Sequence, residues 1–525
     1  MADDTWVYWT IFAAYIVFLF VVGFRARKKT KTLEDFMVAG RSIGPLLLGL
    51  SFGVTYFSAS LIIGAGPKTY NLGLGTIWIG VINGIVGIGL FMMLFGNRTR
   101  IISRELGCLT VPEMLAKRYE MKSLQTFSAI VILLFEIIYL VAVFMGLSIL
   151  FSVILPDMEN AYIYAAMICG IITIVYLMMG GSHGAIFTDV FESIIMLVGV
   201  LMIFFVGLSQ VGGFEGVNLE LQALGEGFTT FPGNGGFNLI GAILVSSIGI
   251  WGSPQMMSRY FTAKNRKSLK WGLVISLAWG LLIATLAYVN GGIGLALFGT
   301  DSGIVSESGS DLIPQLMLEL LPSWLAALFI ACVTAASLTT GEKIILVATS
   351  AVSRDIYQEK TGADDKKTMK VTRLMTIVIV VIAVIIAIFE PGQILDVTFF
   401  AFSSLASVTL VPYIYGLFWK RGTGKAALVS ALVCFIINTV WFFAFSPAST
   451  GLTGLFGDLA FPLLPNVAAT ELFSLGSMTI TIGSINEFIP AQIVASIVFP
   501  LVSLATERMN PEFVDKIFDK LEKQI

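Results

Sequence analysis

Apolar runs of about 20 residues recur along the whole chain of 525 residues, and short polar segments separate them. A helix of about 20 apolar residues is long enough to cross the hydrocarbon core of a bilayer. We therefore predict an all-α polytopic membrane protein with thirteen transmembrane spans. The predicted spans cover about 5–24, 44–66, 74–96, 124–153, 161–180, 187–208, 237–260, 270–298, 322–352, 373–389, 395–418, 424–445 and 488–505.

Basic residues fall in alternate loops, which predicts the topology. With the amino terminus outside, the predicted outer loops contain Lys68 and no other lysine or arginine. Positively charged loops stay on the cytoplasmic side of a membrane. We therefore predict a multi-pass protein of the cell membrane with its carboxyl terminus in the cytoplasm. The predicted cytoplasmic segments hold the basic residues of 25–41, 98–122, 259–270, 354–373, 420–425 and 508–523.

The composition agrees with a membrane protein and excludes several functions. The chain is 56% hydrophobic and 13% charged, against about 25% charged residues in soluble proteins. A net charge of −2 indicates no nucleic-acid partner. His183 is the single histidine, and the four cysteines lack metal-ligand spacing. We therefore expect no cofactor, apart from sodium as a coupling ion, and no enzymatic activity.

Two predicted spans contain residues that interrupt a helix. Span two holds the glycines of 53–66 followed by Pro67, and span seven holds the stretch from Gly249 to Pro254. Interrupted spans at matching places in two halves indicate a transporter's midplane site, although ordinary helix kinks are the alternative. Spans two and seven are five apart, as two inverted five-helix repeats require. We predict one transporter domain made of a first repeat, a second repeat, two extra helices and a cytoplasmic tail, at 44–208, 237–418, 424–505 and 506–525.

Five motifs resemble the sodium/solute symporter family, which includes proline, pantothenate, sialic acid, sugar and monocarboxylate carriers. They read EDFMVAGRSIG at 34–44, GSHGAIFTD at 181–189, PQMMSR at 254–259, SAVSRDIY at 350–357 and LFWKR at 417–421. The resemblance implies the fold of the neurotransmitter:sodium symporter-type transporters. In that fold, spans 2–6 and 7–11 form the two inverted repeats.

The resemblance also implies a sodium site between spans two and nine. Its ligands would be the carbonyl groups of Val54, Phe57 and Ala336 and the hydroxyl groups of Thr339 and Thr340. Sodium is a hard cation, and these groups supply oxygen ligands without burying a charge. The three residues of span nine lie at i, i+3 and i+4, on one helix face. The alternative is that the threonines donate to carbonyls one turn back on their own helix.

Lys343 lies inside the apolar run of span nine, where a charge costs roughly 3 kcal/mol. Some family members hold a second sodium at the positions of Asp189, Glu342 and Lys343. We hypothesise that Asp189 or Glu192 pairs with Lys343, so that an ammonium group replaces that sodium. The alternative places Lys343 in a cytoplasmic vestibule as a solvated side chain.

Glu136 in span four is a candidate proton or substrate contact, because acids inside membranes commonly serve such roles. The alternative is a protonated acid bonded between helices. A tyrosine at the position of Tyr139 lines the substrate cavity in the family. The candidate substrate contacts are Thr55, Tyr56, Ser58, Tyr139, Ser246, Trp251 and Gln255.

We predict a sodium-coupled symporter that imports a small organic solute by alternating access. The solute would be an amino acid, a monocarboxylate or a pantothenate-like molecule. We expect a monomeric functional unit that contacts sodium, the solute and the lipid bilayer. The nearest alternative is a proton-coupled or uncoupled carrier of the same fold, with Lys343 replacing a sodium. A transporter-like sensor is disfavoured because the tail after residue 505 contains no kinase-like region.

Overall fold

Helices make up most of the computed structural model, which describes residues 5–27, 32–56, 59–155, 158–300, 303–306, 308–450, 461–475 and 478–524. The helices in these residues are α1 (Thr5–Arg27), α2 (Leu33–Val38), α3 (Pro45–Tyr56), α4 (Ala59–Leu72), α5 (Ile77–Ile82), α6 (Phe91–Glu105), α7 (Val111–Tyr119), α8 (Lys122–Ile154), α9 (Ala161–Val211), α10 (Gly213–Leu224), α11 (Gly236–Ser247), α12 (Pro254–Thr262), α13 (Arg266–Phe298), α14 (Leu312–Leu320), α15 (Ser323–Ser350), α16 (Glu359–Thr361), α17 (Asp365–Ile388), α18 (Ile394–Phe418), α19 (Gly424–Phe445), α20 (Pro465–Ala468), α21 (Phe488–Ala505) and α22 (Pro511–Gln524).

Ten helical segments in the described part of the chain are long and apolar enough to cross a membrane. Three shorter apolar helices, Trp6–Val22, Pro45–Thr55 and Ala161–Val175, lie in the predicted first, second and fifth spans. The prediction of a polytopic, mostly helical membrane protein is therefore confirmed. One departure from an all-α chain is an antiparallel hairpin of β1 (Glu471–Leu475) and β2 (Met478–Thr481), in the long segment before α21.

The predicted break in span seven is present. Helix α11 ends at Ser247, a single turn of 3₁₀ helix covers Gly249–Gly252, and Ser253 is extended before α12 begins at Pro254. Proline lacks an N–H group and pushes the residue before it into an extended conformation, so Pro254 ends one helix and starts the next. The matching interruption is predicted over residues 53–67 of span two. Gly53 lies within α3, and Gly64, Gly66 and Pro67 lie within α4, whereas residues 57–58, between the two helices, lie outside the described residues.

Helix α3 packs closely against α13. An added Cβ at Gly49 would lie 2.8 Å from the carbonyl oxygen of Gly272, and one at Gly53 would lie 2.6 Å from the ring of Trp279. Small residues at such contacts allow helix backbones to approach closely, which replaces the hydrophobic driving force that lipid cannot supply. This contact holds the first half of span two in a fixed place beside the second repeat.

The tail forms α22, whose apolar face packs on the protein. Val514, Ile517, Phe518 and Leu521 are buried, and α22 contacts α6. Lys520 pairs with Glu105 of α6, and Lys420 Nζ lies 3.2 Å from Asp515 Oδ1. The tail therefore belongs to the helical bundle, at the face that the loop charges predict to be cytoplasmic.

We expect Gly80→Ala to lower stability by about 1–3 kcal/mol, the usual cost of overpacking. Its Cβ would lie 2.6 Å from the carbonyl oxygen of Ala284, a backbone atom that cannot rotate away. Gly44→Ala is the control, since no atom lies within 4 Å of the added Cβ there. Thermal unfolding of the purified variants in detergent should show a lower Tm for Gly80→Ala alone. Equal midpoints for the two variants would contradict this packing.

Candidate sodium and substrate site

Lys343 pairs with Asp189 in the interior of the bundle. Its Nζ lies 2.6 Å from Asp189 Oδ1, and the two side chains are 4% and 0% exposed. The hydroxyl group of Ser51 donates to the second oxygen, Asp189 Oδ2. Of the two acids in the hypothesis, Asp189 and Glu192, it is Asp189 that contacts Lys343 in the structure. The pair joins α15 to α9, and Ser51 adds α3 to the same contact.

Glu192 has a different contact. Its Oε1 accepts a 3.0 Å hydrogen bond from the hydroxyl group of Tyr15, on α1. Both side chains are buried. The first helix, which lies outside the two predicted repeats, therefore reaches the charged interior through one tyrosine.

The Lys343 side chain also lines a small cavity of about 50 Å³. Arg259 of α12, Thr110 just before α7 and Asp355 in the π-helical segment Ala351–Gln358 after α15 line the same cavity. Arg259 is buried and interacts electrostatically with Asp189 and Glu342. The alternative of a fully solvated Lys343 does not fit this arrangement, because its ammonium group is held by Asp189.

Two further acids are buried without hydrogen bonds in the part of the chain that the structure describes. Both carboxylate oxygens of Glu136 and both of Glu342 lack a partner there. An ionised carboxylate without a partner is expensive to bury. These two positions are therefore places where a proton, or a cation brought by a ligand, would be stabilising.

The structure brings together two of the five predicted sodium ligands. The hydroxyl group of Thr340 on α15 lies 3.4 Å from the carbonyl oxygen of Val54 on α3, and both residues are fully buried. Two oxygens that bind one hard cation at right angles, each at about 2.4 Å, lie about 3.4 Å apart. Ala336 is buried one turn earlier on α15. Phe57 and the side chain of Thr339 lie outside the described residues. The contact in this structure is a hydrogen bond from Thr340 to Val54, and its length equals the separation that two oxygen ligands of one such cation would have.

Among the predicted substrate contacts, Gln255 has the most available polar atoms. Both its amide oxygen and its amide nitrogen are buried with no hydrogen-bond partner among the described residues. By contrast, the hydroxyl group of Thr55 donates to Ser51 O at 2.6 Å, and that of Ser246 donates to Ile243 O at 3.1 Å. The protons of these two hydroxyl groups are therefore already donated to carbonyl groups of their own helices.

The two aromatic candidates are packed against neighbouring rings. Trp251 stacks on Phe91, with ring centroids 5.9 Å apart, and its Nε1 donates to Val86 O at 3.2 Å. Tyr139 meets the edge of Phe402, with centroids 5.0 Å apart. The side chain of Tyr56 and all of Ser58 lie outside the described residues.

Sequence reasoning missed a second ionic cluster, at the predicted cytoplasmic ends of α7 and α15. Arg354 donates two hydrogen bonds to Glu113, from Nε to Oε2 at 3.0 Å and from Nη2 to Oε1 at 3.1 Å. Burial raises the pKa of Glu113, but the hydrogen bonds and charge of Arg354, together with hydrogen bonds from the Leu109 N–H group and Lys117, outweigh it, so that the pKa lies below its ordinary value. Asp355 accepts from Thr110 at 2.6 Å and from Gln125 at 2.9 Å. The SAVSRDIY motif contains two of these residues and was the available signal.

These features define a multi-pass solute carrier: an interrupted helix, a buried ion pair and a cation-compatible pair of oxygens on facing helices. The chain belongs to the sodium:solute symporter family, whose model matches residues 36–434. It is a transporter and not an enzyme, and membership of this family supports sodium-coupled symport of a solute.

Three similar proteins are also sodium-coupled symporters or solute transporters. The sodium/proline symporter of Salmonella typhimurium is 26% identical over 439 residues, covering 82% of this chain and 86% of that protein. The high-affinity proline transporter PutP of Bacillus subtilis is 26% identical over 460 residues, covering 86% and 94%. A Na⁺-coupled sialic acid symporter, solved in a substrate-bound outward-open state, superposes with a TM-score of 0.74 at 18% identity, covering 96% of this chain and 98% of that one. This last likeness establishes the shared fold.

We expect Lys343→Met and Asp189→Asn each to cost about 3–5 kcal/mol, because each leaves an uncompensated buried charge. The double variant should cost at least about 2 kcal/mol less than the sum of the two. Denaturant titration of purified protein in detergent measures all four corners of this cycle.

The exposed pair of Lys420 and Asp515 is the matched control for this cycle. Its two neutralising changes, Lys420→Met and Asp515→Asn, should be additive because solvent screens the pair. Additive losses at Lys343 and Asp189 as well would show that the buried contact contributes no coupling.

Proposed function

We propose that this protein is a sodium-coupled symporter that imports a small amino-acid-like solute by alternating access. The observation that carries the proposal is the contact of Thr340 with the Val54 carbonyl, beside the Lys343–Asp189 pair. It supplies oxygen ligands on two helices that would separate or close during transport. The relatives, which are proline symporters and transporters, favour an amino acid such as proline over the other solutes considered.

The topology of the proposal has thirteen crossings, with the amino terminus outside. Helix α9 supports this count by its length, because it has 51 residues whereas one crossing needs about 20. In the proposal, residues 161–211 supply two crossings, as the sequence predicts.

In the proposed cycle, sodium binds Val54 and Thr340 and ties α3 to α15. The predicted ligands Phe57, Ala336 and Thr339 would complete its shell. Gln255 offers both a donor and an acceptor to the solute from the break in span seven. Ion and solute are coupled because both favour the same conformation, through a difference in affinity between states.

Asp189 offsets the positive charge of Lys343 near the ion. A full charge about 6 Å from a bound sodium ion would cost roughly 3 kcal/mol at an effective dielectric constant near 20. Pairing with a carboxylate at 2.6 Å cancels most of this repulsion. Lys343 can therefore take the place of a second sodium, as hypothesised, without preventing the first sodium from binding.

A second candidate keeps the fold and couples transport to protons. It is favoured by the unpartnered, buried carboxyl groups of Glu136 and Glu342, which a proton would stabilise. In this alternative, Lys343 occupies the place of the ion and one of the acids carries the proton.

We expect purified protein in proteoliposomes to accumulate radiolabelled L-proline when sodium is supplied outside, and not with a proton gradient alone. Sodium binding at the Val54 and Thr340 oxygens is the physical reason. Uptake is measured with an inward sodium gradient, with a proton gradient in sodium-free buffer, and with no gradient. Accumulation under the proton gradient alone would favour the second candidate. A panel of monocarboxylates and pantothenate, tested in the same way, covers the other solutes.

The sodium ligand is tested by Thr340→Ala. Loss of one oxygen ligand should weaken apparent sodium affinity by roughly tenfold or more, as expected for an interaction of about 1.5–3 kcal/mol with a charged partner. Thr334→Ala is the matched control on the same helix, since Thr334 is equally buried but donates to Ile330 O at 2.8 Å. The measurement is uptake, or thermal stabilisation, as a function of sodium concentration. Equal shifts in the two variants would remove Thr340 from the ion site.

A further inference from the structure

A second and larger cavity, of about 580 Å³, lies at the end of the bundle that the charge pattern predicts to be extracellular. It is lined by residues of α4, α8, α11, α18 and α19 and by the turn before α21. Four charged side chains line it, Lys68, Glu390, Asp396 and Glu487. With all four ionised, three carboxylates face one ammonium group, so the cavity has an excess of negative charge.

Lys68 and Asp396 largely neutralise each other. Lys68 Nζ lies 2.6 Å from Asp396 Oδ1, and this pair connects α4 to α18. Glu390 lies in the turn between α17 and α18. The remaining acid, Glu487, lies immediately before α21 and is 2% exposed. The excess charge of the cavity therefore rests on Glu390 and Glu487.

Glu487 has one oxygen without a partner. Its Oε1 accepts a 3.1 Å hydrogen bond from the hydroxyl group of Ser403. Its Oε2 is buried and has no hydrogen-bond donor among the described residues. An unpaired carboxylate oxygen at the wall of a cavity is costly until a donor or a cation reaches it. No group of three His, Cys, Asp or Glu side chains in the described residues is arranged to hold a metal ion.

We propose that this cavity is an outer binding site for solutes that carry a protonated amine, with Glu487 Oε2 accepting a hydrogen bond from the ammonium group. The side chains of Phe399 and Phe400 form an apolar part of the wall of the same cavity. The proposal rests on the proposed function only in assuming that solutes enter from this side.

Protonation of Glu487 should switch the site off. Burial raises the pKa of Glu487 to about 7, with a smaller contribution from the charge of Asp396, against opposing hydrogen bonds from its own backbone N–H group, Ser403 and Asn486. Above that pH the carboxylate is charged and attracts cations, and below it the charge is lost. Burial also raises the pKa of Glu390 above its ordinary value.

The test uses charge-selective labelling, which needs no transport. Ala448 lines the cavity, and Ala448→Cys places a thiol there in the full-length protein. The rates of reaction with a trimethylammonium-ethyl and with a sulfonatoethyl methanethiosulfonate are compared, and protein without the added cysteine gives the background. Taking this ratio cancels any change in the reactivity of the thiol itself.

We expect the cationic reagent to be preferred at about pH 8.5, and Glu487→Gln to reduce this preference. One charge about 5 Å away in a water-like dielectric changes each rate about fourfold, in opposite directions for the two reagents, so the ratio should fall roughly sixteenfold. Lowering the pH to about 5.5 should have a similar effect. Methylammonium chloride should slow labelling, sodium acetate should not, and Glu487→Gln should abolish the protection. Glu471→Gln, an exposed acid in the same segment of chain, is the control and should change nothing.

An unchanged preference in Glu487→Gln would overturn the proposal. Equal protection by sodium chloride and methylammonium chloride would also overturn it, since it would assign the site to inorganic cations. Absence of L-proline uptake together with the expected labelling would count against the proposed function and leave this site in place.

Discussion

The contact between the Lys343 ammonium group and the Asp189 carboxylate is the constraint on which the arrangement of the central helices depends. Both partners are buried, and neither could be left alone without a cost of about 3–5 kcal/mol. Helices α9 and α15 must therefore keep their relative height, and the hydroxyl group of Ser51 holds α3 to the same level. A pair of this kind contributes little net stability, but it specifies which parts of the three helices face one another.

The candidate ion site follows from that alignment. Val54 lies three residues after Ser51 on α3, and Thr340 lies three residues before Lys343 on α15. Three residues are close to one turn of an α-helix. If the two helices run in opposite directions across the membrane, as the topology predicts, both steps lead the same way along the bundle. The oxygens of Val54 and Thr340 then meet one turn beyond the charge pair, where they lie 3.4 Å apart.

Much of this arrangement could be predicted from the sequence, because the signals are local. Hydropathy located the apolar helices, Pro254 marked the break in span seven, and helix periodicity placed Thr340 and Lys343 on one face. For the partner of Lys343, the sequence leaves two acids one helical turn apart, Asp189 and Glu192. Choosing between Asp189 and Glu192 required knowing that Tyr15 of α1 reaches Glu192. Contacts between helices far apart in sequence leave no periodic pattern.

The same limit applies to the ends of the bundle. Glu113 and Arg354 are 241 residues apart, and Glu487 and Ser403 are 84 apart. Glu113, Arg354 and Glu487 look like ordinary loop or helix-end residues in the sequence, and Ser403 looks like an ordinary residue within span eleven. Their importance comes only from the cavities and helix ends that the fold brings together. The sequence also does not show which hydroxyl groups already have an acceptor. Thr55 and Ser246 are predicted substrate contacts, and in the structure both hydroxyl groups donate to carbonyl groups of their own helices.

The depth of each ion pair indicates which contacts can change during a transport cycle. Lys68–Asp396 at one end and Glu113–Arg354 at the other are only partly buried, with side-chain exposures of 14% and 25%, and of 10% and 18%. Partly solvated pairs cost little to separate, because water replaces the lost partner. Differential binding of an ion and a solute, at about 1.4 kcal/mol for each factor of ten in affinity, is enough to open either one. Lys343–Asp189 has no such replacement and should stay closed, so that the two ends can open in turn around a fixed centre.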